Sequence, residues 1–118
     1  MTGKERLEKL YNELRENFPH ADITFSDETF IIGEYTLVKF KVAYFAKIGD
    51  KDTQICDVIW GDGSYGYEEN LLEFYNGGEP EGYIDEVRAY ELFKAEIEAC
   101  PRSIRLRYKD DNKEGDET

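Results

Sequence analysis

Two adjacent stretches of alternating side chains constrain the fold more than any other feature of this sequence. From Tyr35 to Lys47 and again from Thr53 to Trp60, apolar residues recur at every second position, and Gly49-Asp50-Lys51-Asp52 lies between the two stretches. A period of two is typical of strands with one buried face, and a short turn joins antiparallel neighbours. We therefore expect an antiparallel sheet around these two strands, with the ring of Trp60 in the core.

The residues before these strands predict one helix and two short strands. Thr2 and Glu5 have the spacing of a capping box, and apolar residues then recur at helical intervals, so we predict a helix from Gly3 to Asn17. Two short apolar runs follow, Ile23 to Phe25 and Phe30 to Ile32, separated by turn-forming residues. We expect these runs to pair with each other as brief strands.

The second half of the chain predicts helices followed by a last strand. Tyr67 to Tyr75 is predicted as a short helix, and Gly82 to Ala99, rich in helix formers, as a long one. Ser103 to Lys109 alternates apolar with basic residues, as a half-buried edge strand does. The predicted fold is α+β: an N-terminal helix, an antiparallel sheet of four or five strands, a short and a long helix, and a C-terminal edge strand. Residues 1–109 should form a single domain and residues 110–118 a disordered charged tail.

Composition excludes several classes of function. The 118 residues carry a net charge of −12, and a field of that sign repels phosphate backbones and anionic lipid. No stretch approaches the length of a membrane span, so we expect a cytoplasmic protein. Cys56 and Cys100 lie among apolar neighbours and should be buried thiols, while the lone His20 follows Pro19 in a predicted loop. We expect no metal site and no cofactor.

One glycine-rich segment resembles a phosphate-binding loop. Residues Gly61 to Gly66 match G-x-G-x-x-G, between a predicted strand and a predicted helix. A dinucleotide fingerprint also needs a parallel strand to follow, whereas the strands here look antiparallel, and Asp62, Glu68 and Glu69 would repel pyrophosphate. We predict a connecting loop, with small-ligand or nucleotide binding as an alternative. The sequence contains no G-x-S-x-G nucleophile turn, and we expect no enzymatic activity.

The negative charge is concentrated in residues 61–100. They hold eleven acidic and two basic residues, a net charge of −9. The acids alternate with tyrosines, a combination that suits a protein interface. A solvated face that keeps the chain soluble explains the same acids, so both interpretations stay open. The candidate partner-binding residues are Asp62, Tyr65, Tyr67, Glu68, Glu69, Glu73, Glu79 and Glu81.

The predicted function is that of a non-catalytic acidic interaction protein. Its partner would be a basic nucleic-acid-binding protein or nuclease, inhibited by occupation or mimicry of its phosphate path. Small acidic proteins of this character include DNA mimics, phage inhibitors of restriction or CRISPR effectors, and immunity proteins of nuclease toxins. Leu71 to Gly78 resembles a short segment of the SUKH superfamily of toxin-immunity proteins, although that family carries the segment before its strands. By analogy of size and charge alone, a toxin-immunity protein is one alternative. An obligate subunit or virion component that self-associates through exposed apolar surface is another.

Overall fold

The computed structural model describes residues 1–99. Helix α1 spans Gly3–Asn17, as the sequence predicts. The Thr2 hydroxyl accepts a hydrogen bond from the Glu5 N–H, and the Glu5 carboxylate accepts one from the Thr2 N–H. This reciprocal pair satisfies donors that the first turn of a helix leaves open, and it fixes where α1 begins.

Seven strands follow: β1 Asp22–Asp27, β2 Phe30–Ile32, β3 Tyr35–Leu37, β4 Lys39–Ile48, β5 Lys51–Gly61, β6 Leu72–Tyr75 and β7 Glu81–Ile84. Five of them form an antiparallel sheet with strand order β1-β4-β5-β6-β7. Its two long central strands, β4 and β5, are the ones that alternation predicts. A second, two-stranded sheet pairs β2 with β3. A helix, α2, covers residues 86–99.

Both helices pack on one face of the five-stranded sheet. The leucines of α1, alternate residues of the strands and the apolar stripe of α2 form one cluster, in which Val42 and Phe93 are fully buried. The ring of Phe93 lies 6.3 Å from that of Tyr44 on β4. Trp60 packs against this cluster but is only half-buried, so its predicted place inside the core is correct only in part.

The structure corrects the predicted pairing of the short strands. β1 pairs with β4, extending the main sheet, rather than with β2. β2 pairs instead with β3, which we had predicted as the start of the long strand. Between them Gly33 has a φ of +61°, which a turn of type II′ needs at its first central position. The chain leaves strand geometry at Val38, so the single predicted strand is two strands in two different sheets.

The structure also corrects the predicted helices of the second half. Within the predicted short helix, only Tyr67–Glu69 is helical, and it forms one turn of 3₁₀ helix. The end of the predicted helix, Leu72–Tyr75, is strand β6 instead. The start of the predicted long helix is strand β7, in which Tyr83 has a φ of +58°. The helix begins after Asp85, whose carboxylate accepts a hydrogen bond from the Arg88 N–H.

The α+β class, the N-terminal helix, the antiparallel sheet and a later long helix are confirmed. Cys56 is buried, as predicted. The predicted edge strand Ser103 to Lys109, the tail 110–118 and the predicted burial of Cys100 lie outside the described residues.

Candidate functional site

The loop that joins β5 to β6 carries most of the predicted site, and Asp62 anchors its first residues. One Asp62 carboxylate oxygen accepts a hydrogen bond from the Val38 N–H at 2.6 Å, and the Asp62 N–H donates to the Val38 carbonyl at 2.8 Å. Gly61 lies so close to this segment that a Cβ there would stand 2.5 Å from the same carbonyl oxygen. Asp62 therefore bridges the loop to the base of the β2–β3 hairpin, a structural role that its sequence position does not reveal.

Tyr65 is where the loop meets the last two strands. Its N–H donates to the Glu73 carboxylate at 2.8 Å, and its carbonyl accepts from the Tyr83 N–H at 3.4 Å. The two tyrosine rings are stacked, with centroids 6.5 Å apart and planes inclined by 18°. Because a Cβ at Gly82 would overlap the Tyr65 side chain, the absence of a side chain there lets the loop lie against β7. Tyr65, Glu73 and the exposed ring of Tyr83 thus form one surface.

Tyr67 fixes the far end of the loop against the core. Its ring centroid lies 4.8 Å from that of Trp60, and its carbonyl accepts a hydrogen bond from the Trp60 indole N–H at 3.0 Å. Burial, with a smaller contribution from the Asp62 charge, raises the pKa of the Tyr67 hydroxyl. The next residues contact α1 through Asn70, which accepts a hydrogen bond from the Gly3 N–H and, at its carbonyl, one from Arg6.

Glu68 and Glu69 stand out among the predicted acids. Both lie on the 3₁₀ turn, both are exposed, and neither forms an ion pair with any residue of the part of the chain described here. The backbone under them is held on one side by Trp60 and on the other by α1. Two uncompensated carboxylates are therefore presented on a fixed piece of backbone.

Glu79 and Glu81 do not belong to this surface. Glu79 lies in the turn between β6 and β7, at the end of β6 away from the loop. Glu81 forms a two-point contact with the Arg88 guanidinium, at 2.8 and 3.2 Å. That hydrogen bonding, together with the Arg88 charge, lowers the pKa of Glu81, and the ion pair compensates its charge. One anchored loop therefore carries Asp62, Tyr65, Tyr67, Glu68 and Glu69, and Glu73 is bonded to it through the Tyr65 N–H. Glu79 lies on a different turn, and Arg88 compensates the charge of Glu81.

The glycines of Gly61 to Gly66 serve the loop backbone. Gly63 and Gly66 have φ values of +88° and +96°, a backbone region that residues other than glycine rarely adopt. The strand that follows, β6, is antiparallel to β5, and the helical segment between them has only three residues. The βαβ unit of a dinucleotide fingerprint is thus absent from this segment, because antiparallel β6 takes the place of a parallel strand. Among residues 1–99, no group of three or more His, Cys, Asp or Glu side chains is placed to hold a metal ion.

Sequence reasoning missed two acids with unusual surroundings. Glu86 is only 7% exposed and pairs with Arg6 at 2.5 Å and Lys9 at 3.7 Å. Burial raises its pKa, but hydrogen bonds from its own backbone and Arg6, with the two positive charges, more than offset that effect and leave the pKa lowered. On the opposite sheet face, burial raises the pKa of Asp57. Asp85, a residue type that caps helix N-termini, was the available signal that α2 begins there.

Comparison with known proteins gives no relative for the chain: no protein-family model, no curated protein and no solved structure matches it. None of the helices in residues 1–99 has the length and apolar character needed to cross a membrane.

Proposed function

We propose that this chain is a non-catalytic interaction protein that binds a basic nucleic-acid-binding protein or nuclease and blocks its phosphate path. The observation that supports this function best is the pair Glu68 and Glu69, exposed and uncompensated on an anchored turn of the loop that also exposes the ring of Tyr65. Successive carboxylates on a fixed backbone present negative charge as neighbouring phosphates do. A surface that is ordered before binding loses less conformational entropy on association.

Four other acids of residues 61–100 have partners within the fold, unlike Glu68 and Glu69, and this contrast supports the proposal. Glu81 and Glu86 are compensated by arginine, while Asp62 and Glu73 accept backbone hydrogen bonds. A face that served only solubility would not need a rigid support, since solvated charges act from flexible side chains as well. Aromatic residues next to uncompensated charge favour a protein interface instead, where tyrosine supplies contact area and charge accelerates docking.

A toxin-immunity protein remains one form of the same function, since a nuclease toxin is itself a basic protein that binds phosphate. The identity of the partner separates it from a phage inhibitor of restriction or CRISPR effectors. The nucleotide-binding alternative has less support, because β6 is antiparallel to β5 and two acids occupy the 3₁₀ turn where a phosphate would need positive charge.

The test compares two charge-matched variants as baits in a lysate of the native host. Glu68→Lys combined with Glu69→Lys reverses the proposed surface, and Glu13→Lys combined with Glu16→Lys reverses two exposed acids of α1. Asp62 and Glu73 are left unchanged because their carboxylates hold backbone N–H groups. Quantitative mass spectrometry should show a basic protein captured by the wild type and the α1 variant and lost with the loop variant. Equal capture by all three baits would contradict the proposal.

A further inference from the structure

The β2–β3 hairpin is the one part of the described chain whose apolar side chains are turned outward over a whole element. All residues from Phe30 to Thr36 are exposed, and neither strand has a second neighbour within residues 1–99. Large apolar side chains occupy both strands, with exposed fractions of 49% for Phe30, 71% for Ile31, 57% for Ile32 and 73% for Tyr35. An isolated two-stranded hairpin is marginally stable in water, and monomers rarely expose such a patch.

The base of the hairpin is held firmly although its faces are open. Thr29 and Lys39 exchange hydrogen bonds across the base, where the Thr29 hydroxyl accepts from the Lys39 N–H at 3.1 Å. The Asp62 carboxylate accepts a hydrogen bond from the N–H of Val38, just after β3, and Glu28 donates its N–H to the Lys39 carbonyl at 2.7 Å. These hydrogen bonds fix the base of the hairpin relative to the main sheet, so its exposed apolar surface has a defined position.

The hairpin also presents little uncompensated negative charge to a second copy of this acidic chain. Glu28, before β2, is paired with Lys39 and Lys41 at 3.4 and 3.3 Å. Asp27 accepts the Thr29 N–H. The only acid between the two strands is Glu34, in the turn. A basic partner would instead favour a surface with uncompensated acids, which the loop of Glu68 and Glu69 supplies.

We infer that the β2–β3 hairpin is a self-association surface, on which two copies of this chain pack as a symmetric dimer. A twofold axis brings the same patch of each copy together, and an open strand edge can pair with its own copy in antiparallel fashion. Because side chains alternate along a strand, Phe30, Ile32 and Tyr35 share one face of the hairpin, and Ile31 lies on the other. With about 200 Å² for each large side chain, the exposed fractions of these three leave roughly 360 Å² per copy. Two copies would bury about 700 Å², in the range of weak and transient contacts, so the dimer is weak and concentration-dependent.

The dependence on salt concentration distinguishes this self-association from binding to a basic protein. Each copy carries a charge of −12, so screening should strengthen the dimer, whereas it weakens a complex between opposite charges. Sedimentation equilibrium of the full chain from about 5 to about 500 µM should show that the association constant of the dimer rises as NaCl increases from about 0.05 to about 0.5 M.

Two matched variants locate the interface. Ile31→Thr combined with Ile32→Thr keeps β-branched side chains in the hairpin and removes apolar surface, and should weaken the dimer at least about tenfold. Val87→Thr, at a residue of α2 that is 60% exposed, also replaces an exposed β-branched apolar side chain by threonine and should leave the dimer unchanged. Far-UV circular dichroism checks that both variants fold. A wild type that stays monomeric at the highest concentration and salt would overturn the inference, as would a dimer that both variants weaken equally or not at all.

Discussion

The substitution Gly3→Ala gives a sharp test of how α1 packs on Trp60, because helix propensity favours alanine at this position whereas packing disfavours it. Alanine is favoured over glycine in a helix by about 1 kcal/mol, and by less at a first helical position. A Cβ at Gly3, however, would overlap the indole ring of Trp60, and such overpacking costs about 1–3 kcal/mol. Packing wins, so we expect a net loss of about 1–2 kcal/mol in the free energy of unfolding. For a domain of this size, each kcal/mol lowers Tm by roughly 4–8 °C.

Thermal unfolding followed by far-UV circular dichroism measures this effect. Glu8→Ala, at an exposed position of the same helix, is the control and should change stability by no more than about 0.5 kcal/mol. In a Trp60→Leu background the smaller side chain leaves room for the added methyl, so Gly3→Ala should cost less there than in the wild type. A Gly3→Ala protein that melts at or above the wild-type temperature would refute the packing of α1 on Trp60.

Three further predictions concern the supports of the two surfaces. Gly82→Ala should displace the Tyr65 side chain and destabilise the chain by about 1–3 kcal/mol, measured by urea unfolding, while an unchanged midpoint would contradict the close approach. Asp62→Asn should leave the fold intact but raise amide hydrogen exchange at Val38, whose N–H loses a charged acceptor; unaltered protection would count against the bridge. Because the folded state lowers the pKa of Glu86 from its ordinary value of 4.5, its charge stabilises the fold above that pH, and the stabilisation is lost as pH falls through the lower folded pKa. Glu86→Gln should therefore reduce Tm most near neutral pH and less at a pH below 4.5. An equal reduction at both pH values would show that the charge of Glu86 is not what stabilises the fold.

The elements predicted correctly from sequence are those fixed by local signals. The capping box of Thr2 and Glu5 sets the start of α1, and the alternation from Lys39 to Trp60 sets the two central strands and their buried faces. The errors in the second half of the chain arose where helix formers stand in short strands. Leu72 and Phe74 alternate in burial with Glu73, as in a strand, but four residues are too few for the period to outweigh helix propensity.

The sequence predicts which residue types the candidate site contains, but not the hydrogen bonds and ion pairs that hold them in place. That residues 61–73 carry uncompensated acids beside tyrosines follows from the sequence, and the structure places Glu68 and Glu69 on the surface. The bond from Asp62 to Val38 joins residues far apart in the chain, so no local pattern announces it. The same holds for Arg88, which compensates Glu81 only because the start of α2 lies beside β7.

The central claim is that Glu68 and Glu69 occupy the phosphate path of a basic partner, and displacement of DNA tests it most directly. With the captured partner purified and bound to a fluorescently labelled duplex, fluorescence anisotropy reports release of the duplex as this protein is added. The wild type and Glu13→Lys/Glu16→Lys should displace the duplex, and Glu68→Lys/Glu69→Lys should need at least about a tenfold higher concentration, a loss that shrinks as salt screens the charges. Binding of all three proteins to the partner without release of the duplex would contradict the claim.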